Sequence, residues 1–129
     1  LIEVRACAYL QPDVCHCFGI TGLVEIGRAA REAQMQMAPH NAGGPLALAA
    51  TLTADAVTPN FLIQEMGDAW FRRFGDYVEH DWSIADGYIN VSDAAGLGVT
   101  VKEQDIAGLP YVLMPHRQYR YADGSWKGW

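Results

Sequence analysis

Within its first 66 residues the chain alternates three short apolar runs with two stretches of helical spacing, joined by short loops. Few folds accept that order: strand, helix, strand, helix, strand with short connections predicts a parallel α/β sheet or barrel. The first run, residues 4–12 (VRACAYLQP), ends at Pro12-Asp13, and its last half suits a buried strand with Pro12 at the exit. Residues 20–33 follow, with Ile20, Leu23, Val24, Ile26, Gly27 and Ala30 at helical spacing and Thr21 as the expected N-cap. Residues 35–39 (MQMAP) form the second expected strand, closed by His40-Asn41. A Gly43-Gly44-Pro45 turn opens the second helix, expected from Leu46 to about Val57, with Pro45 at its first position. Residues 60–66 (NFLIQEM) read as the third strand, with Glu65 near its carboxyl end.

Beyond Met66 the pattern changes. Residues 67–78 read as helical, and residues 84–91 as a hairpin turning at Asp86-Gly87. Residues 94–101 form a glycine-punctuated return, followed by one short helix over 102–109. The tail, residues 114–129, is rich in Arg, Tyr and Trp with little periodicity, which suits docking on another surface. The division expected is therefore residues 1–66 as an α/β barrel or sheet segment and 67–129 as a helix, hairpin and extended tail that packs on another surface.

Charge narrows the function classes. The formal net charge is -6, which argues against nucleic acid and anionic membrane surfaces. No apolar run reaches the ~20 residues of a membrane helix. Residues 1–8 carry Glu3 and Arg5, unlike a signal-peptide core, and the chain opens in mid-pattern without an initiator Met, so its beginning is expected to be missing. Three cysteines (Cys7, Cys15, Cys17) are odd in number and clustered, unlike a secreted disulfide framework, and predict a reducing cytoplasm.

Three polar residues stand at the carboxyl ends of the three expected strands: Asp13, His40 and Glu65. That edge is where parallel α/β folds gather ligands and chemistry. A histidine that takes protons gains from a carboxylate that fixes its ring and stabilises its cation. Asp13 and His40, on adjacent strands, could form that dyad; a helix cap and a turn histidine are the alternative. Cys15-His16-Cys17 lacks the spacing and fourth ligand of a closed zinc site, so loop packing is expected. His80 and His116 are expected to be solvated, and Met35 and Met37 to pack in the core. The tail aromatics (Tyr111, Tyr119, Tyr121, Trp126, Trp129) are expected to dock rather than stack on nucleic acid.

Five stretches in order make the pattern specific. QPDVCHCFGIT (11–21), APHNAGGPLALAA (38–50) and PNFLIQE (59–65) resemble the sixth, seventh and eighth strands of the mandelate racemase-like branch of the enolase superfamily. DGYINVSDAAGLGVTV (86–101) is similar to that branch's closing segment, and YRYADGSWKGW (119–129) to the terminus of galactonate dehydratase-like acid-sugar dehydratases. The resemblance implies the C-terminal part of a (β/α)7β TIM-like barrel, its last three parallel strands and helices, plus a C-terminal extension. It implies that His40 exchanges a proton with a sugar acid, that Asp13 completes the dyad, and that Glu65 hydrogen-bonds the substrate carboxylate as it becomes an enediolate. It further implies Mg²⁺, held by carboxylates on strands three to five with no counterpart in this chain, and a partnership with the remainder of the barrel and a capping domain. A homo-oligomer is implied for the full-length enzyme. Taken alone, the 129 residues are then expected to be inactive. A racemase or cycloisomerase using the same dyad, or a non-catalytic fragment needing a partner for its open sheet edge, are the competing readings. Three positions depart from the family pattern: Phe18 replaces a glycine, Gly22 an acidic residue and Ala95 a proline. Phe18 is the one expected to alter the loop or narrow the site.

Overall fold

The computed structural model describes residues 1–67, 71–113 and 120–125. Its first half is the alternating unit. Strand β1 (Tyr9–Leu10) leads through the Asp13 bridge into helix α1 (Gly19–Glu32), strand β2 (Gln36–Met37) and helix α2 (Pro45–Asp55). A third extended segment then bridges through Phe61. β1 and β2 pair in parallel, Tyr9 with Gln36 and Leu10 with Met37. The ladder continues past the regular strands. The N–H groups of Ala38 and His40 donate to Leu10 O and Pro12 O at 2.9 and 3.1 Å. On the other edge, Met37 N–H donates to Asn60 O at 2.9 Å and Leu62 N–H to Met37 O at 2.8 Å. The three segments therefore lie side by side in chain order, and the helices return the chain to start each new strand.

The regular part of the first run is shorter than its apolar content predicts, because residues 2–5 form turns, with Arg5 at φ 46°. α1 also begins earlier than Thr21. Its N-cap is Phe18, which makes no capping side-chain hydrogen bond, and Thr21 lies within the first turn. Leu23, Val24 and Ala30 on one face of α1 meet Val14, Met35, Met37 and Ala54 in one core cluster. The buried pair Met35 and Met37 are core residues, as expected. α2 starts at Pro45, as the turn predicts, and its other side builds a second cluster: Leu48, Ala49 and Leu52 pack with Phe74 and Trp82. Leu23, Met37 and Leu48 are fully buried, positions where truncation to alanine costs about 2–5 kcal/mol.

The second half is built from short pieces. The expected helix over 67–78 is largely absent from its described part. Phe71 N–H closes one turn on Gly67 O at 3.0 Å, but a 3-10 turn (Phe74–Asp76) and strand β3 (Val78–Glu79) follow. Strands β4 (Ile84–Ala85) and β5 (Tyr88–Ile89) form the expected hairpin. Asp86 and Gly87 both take positive φ, 52° and 79°, as a two-residue type I′ turn requires. The glycine-punctuated return ends in β6 (Thr100–Val101), antiparallel to β3, and helix α3 spans Glu103–Ala107. His80 is not a solvated histidine. Its ring stacks on Trp82 at 4.8 Å, and its Nδ1 accepts from Trp82 N–H at 3.2 Å. His116, Tyr119, Trp126 and Trp129 lie outside the described residues. Within them, no helix is long and apolar enough to cross a membrane.

Candidate active site

Parallel pairing carries the chemistry-bearing side chains to one edge. Asp13 and His40 are directly opposed across the first two strands. Glu65 ends the third segment, where its N–H reaches Pro39 O at 3.4 Å. His40 Nδ1 stands 2.8 Å from Asp13 Oδ2, and His40 Nε2 stands 3.8 Å from Glu65 Oε2. The structure thus brings all three residues into one group.

Asp13 is the enclosed member, its side chain 15% exposed against 44% for His40 and 50% for Glu65. Burial pulls its carboxyl upward. The hydrogen bond with His40 and the one from Cys15 N–H to Oδ1, at 2.7 Å, outweigh that pull and hold the carboxyl below its ordinary value. An ionised carboxylate only accepts, so the proton between the two rests on His40 Nδ1. The lone pair of the neutral ring is then on Nε2, the nitrogen that faces Glu65. Such a ring can take a proton at Nε2 and become a cation stabilised from behind by Asp13.

The supporting contacts were not apparent from the sequence. Asn41 is buried, and its N–H points to Glu65 Oε2 at 3.4 Å while its Oδ1 accepts from Gly43 N–H at 3.1 Å. Gln64 Nε2 donates to Pro39 O at 3.2 Å and to Glu65 O at 2.6 Å, tying the third segment to the second. QE and HN at strand ends were visible in the chain, but only their register shows that one steadies the other.

Around the first loop, partial burial and then the Asp13 carboxylate push the thiols of Cys15 and Cys17 up, away from the thiolate form that binds metals. Among the described residues no group of three or more His, Cys, Asp or Glu side chains is placed to hold a metal ion. Phe18 is 97% exposed in this chain. It shapes the loop, sitting in the left-handed region at φ 67°.

Residues 1–105 match the family model described as enolase C-terminal domain-like. A D-galactonate dehydratase family member from Streptomyces bingchenggensis is 36% identical over 132 residues, covering all of this chain and 32% of that protein. A D-galactonate dehydratase from Ralstonia pickettii is 34% identical over 137 residues, with 36% of its length covered. Among solved structures, an enolase from Agrobacterium radiobacter, bound to Na and L-malate, superposes with a TM-score of 0.83 at 31% identity. That superposition covers 98% of this chain and 35% of the other. The chain therefore spans about a third of the length of these relatives.

Proposed function

Since the chain belongs to the enolase C-terminal domain-like family, we propose that it supplies the proton-transfer side of an acid-sugar dehydratase active site. Its fold is the corresponding α/β piece of a TIM-like barrel. The observation that carries the reading is the 2.8 Å pairing of His40 Nδ1 with Asp13, which leaves Nε2 open toward Glu65.

A proton alpha to a carboxylate is very weakly acidic. Its removal needs a positioned base and stabilisation of the charge that develops. His40 Nε2 takes that proton, and Asp13 holds the ring and balances the imidazolium. Glu65, when protonated, donates a hydrogen bond to the substrate carboxylate as it becomes an enediolate. The 3-hydroxyl then leaves as water with a proton from a general acid, and the resulting enol tautomerises to the 2-keto acid by taking a proton at C3. Support comes from the dehydratase relatives, from the strand-end placement and from the asymmetry of the His40 environment. Mg²⁺ belongs to this proposal only through residues outside the sequence. The described side chains make no metal site.

The test uses a polypeptide carrying this segment together with the remainder of the barrel, assayed against a sugar-acid library. Water loss, with one deuterium from solvent appearing at C3 of the 2-keto-3-deoxy product, is the expected result. His40→Asn should lower turnover by about 10²–10⁴-fold. Racemisation without water loss would overturn the choice of dehydration, and full activity in His40→Asn would overturn the role of the dyad. The 129-residue chain alone is expected to turn over no sugar acid; metal-dependent turnover by that chain would refute this.

A further inference from the structure

Gln64 precedes Glu65 and has no part in the chemistry proposed above. Its amide nevertheless joins the strand ends that carry that chemistry. Nε2 has two hydrogens and two acceptors, Pro39 O at 3.2 Å and Glu65 O at 2.6 Å. Pro39 O also accepts from Glu65 N–H at 3.4 Å. The Pro39 carbonyl and the His40 N–H belong to one planar peptide unit, and that N–H donates to Pro12 O, next to Asp13, at 3.1 Å. One rigid plane therefore runs from the Asp13 strand end, through His40, to the Gln64 amide and Glu65.

The orientation of the amide follows from its neighbours. Turned over, Oε1 would face two carbonyl oxygens, so only the N–H side fits there. The fit has a cost, because Oε1 is then buried without a hydrogen-bond partner among the described residues. Gln64 also lines an apolar cavity with Leu62 and Met66, which Glu65 does not line. A residue suited to that wall alone would be aliphatic and would leave no acceptor unpaired. The amide is explained by its two N–H bonds, which end on the Pro39–His40 peptide and on Glu65.

We propose that Gln64 is a positioning residue whose amide holds Glu65 against His40 through the Pro39–His40 peptide, with no contact to substrate. The proposal rests on the roles given above to His40 and Glu65. Without the two N–H bonds, the Glu65 backbone is left with its 3.4 Å bond to Pro39 O. The 3.8 Å approach of His40 Nε2 to Glu65 Oε2 then loosens, and a misplacement on the order of 1 Å costs up to about 10²-fold in rate.

The tie is tested by amide hydrogen exchange in the 129-residue chain, with Gln64→Met as a variant of similar length that lacks the donors. Protection of the Glu65 N–H is expected to fall about tenfold or more. The Ala38 and Leu62 N–H groups, bonded to Leu10 O and Met37 O, should change less than about twofold. Equal loss at all three, an unchanged Glu65, or a Glu65 N–H already unprotected in the unmodified chain would each overturn the proposal. Should the variant fail to fold, slow exchange of the Gln64 amide hydrogens in the unmodified chain is the expected sign, and exchange at the free-amide rate overturns it. In a polypeptide carrying this segment with the remainder of the barrel, Gln64→Met should lower kcat about 10- to 100-fold with KM held within about twofold. In His40→Asn the same change should cost less than about twofold, since the alignment of Glu65 against His40 no longer exists to be lost. An equal loss in both backgrounds would mark a general loss of folded enzyme and overturn the positioning role. Absence of turnover in the unmodified polypeptide would instead overturn the dehydratase reading, and the exchange result then decides the tie alone.

Discussion

Phe18 occupies a left-handed backbone conformation, φ 67° and ψ 36°, with its ring in solvent. A side chain there costs about 1–2 kcal/mol, and the exposed ring recovers none of it. Phe18→Gly is expected to stabilise the chain by about 1 kcal/mol, the unfolded-state entropy of glycine offsetting part of the relief. Gly22 should behave in the opposite way from an ordinary helical glycine. A Cβ at that position would stand 1.7 Å from the Cys17 carbonyl oxygen. Gly22→Ala, which in an open helix gains about 1 kcal/mol, is expected here to cost about 1–3 kcal/mol. Urea denaturation of both variants checks the pair; a stabilising Gly22→Ala would show that the loop relaxes freely. The two departures from the family pattern are therefore one structural feature: the turn at Phe18-Gly19 brings Cys17 O against residue 22. Residue types at strand ends made Asp13, His40 and Glu65 legible in the sequence. Backbone angles at Phe18 and the close approach at Gly22 were not, since nothing local in FGITG distinguishes a strained turn from a relaxed one.

At the scale of elements, legibility followed how local the cause is. The Asp86-Gly87 turn was readable because type I′ geometry selects those residues by their own φ preferences. Gly87→Ala, at φ 79°, is expected to cost about 1 kcal/mol, with the loss seen first as weakened protection of the Asn90 N–H that bonds Ser83 O at 3.4 Å. Hydrogen exchange measures this, and unchanged protection would mean that the hairpin is held by its neighbours rather than its turn. Residues 67–78 misled for the complementary reason. Phe71, Phe74 and Val78 stand at helical intervals, but Phe74 and the half-buried Phe71 owe their burial to a non-local cluster in which both rings lie 6.4 Å from Trp82. Spacing records that a residue is buried, and a 3-10 turn followed by a strand can bury the same positions.

For the molecule as a whole, the half-buried Asp13 and the buried Asp55 set opposing pH dependences. Asp13 is held below its ordinary value, so the stability it contributes is present above the unfolded value of 3.8 and is lost as pH falls through the folded one. Asp55 is pushed from 3.8 up to about 7. Between those values the folded chain keeps a proton that the unfolded chain has released, so stability falls as pH rises and levels off above about 7. At about 1.36 kcal/mol per pH unit the loss approaches about 4 kcal/mol. Urea midpoints between pH 4 and pH 8 should therefore decline in the unmodified chain and stay level in Asp55→Asn. A decline that persists in Asp55→Asn would assign it to other groups.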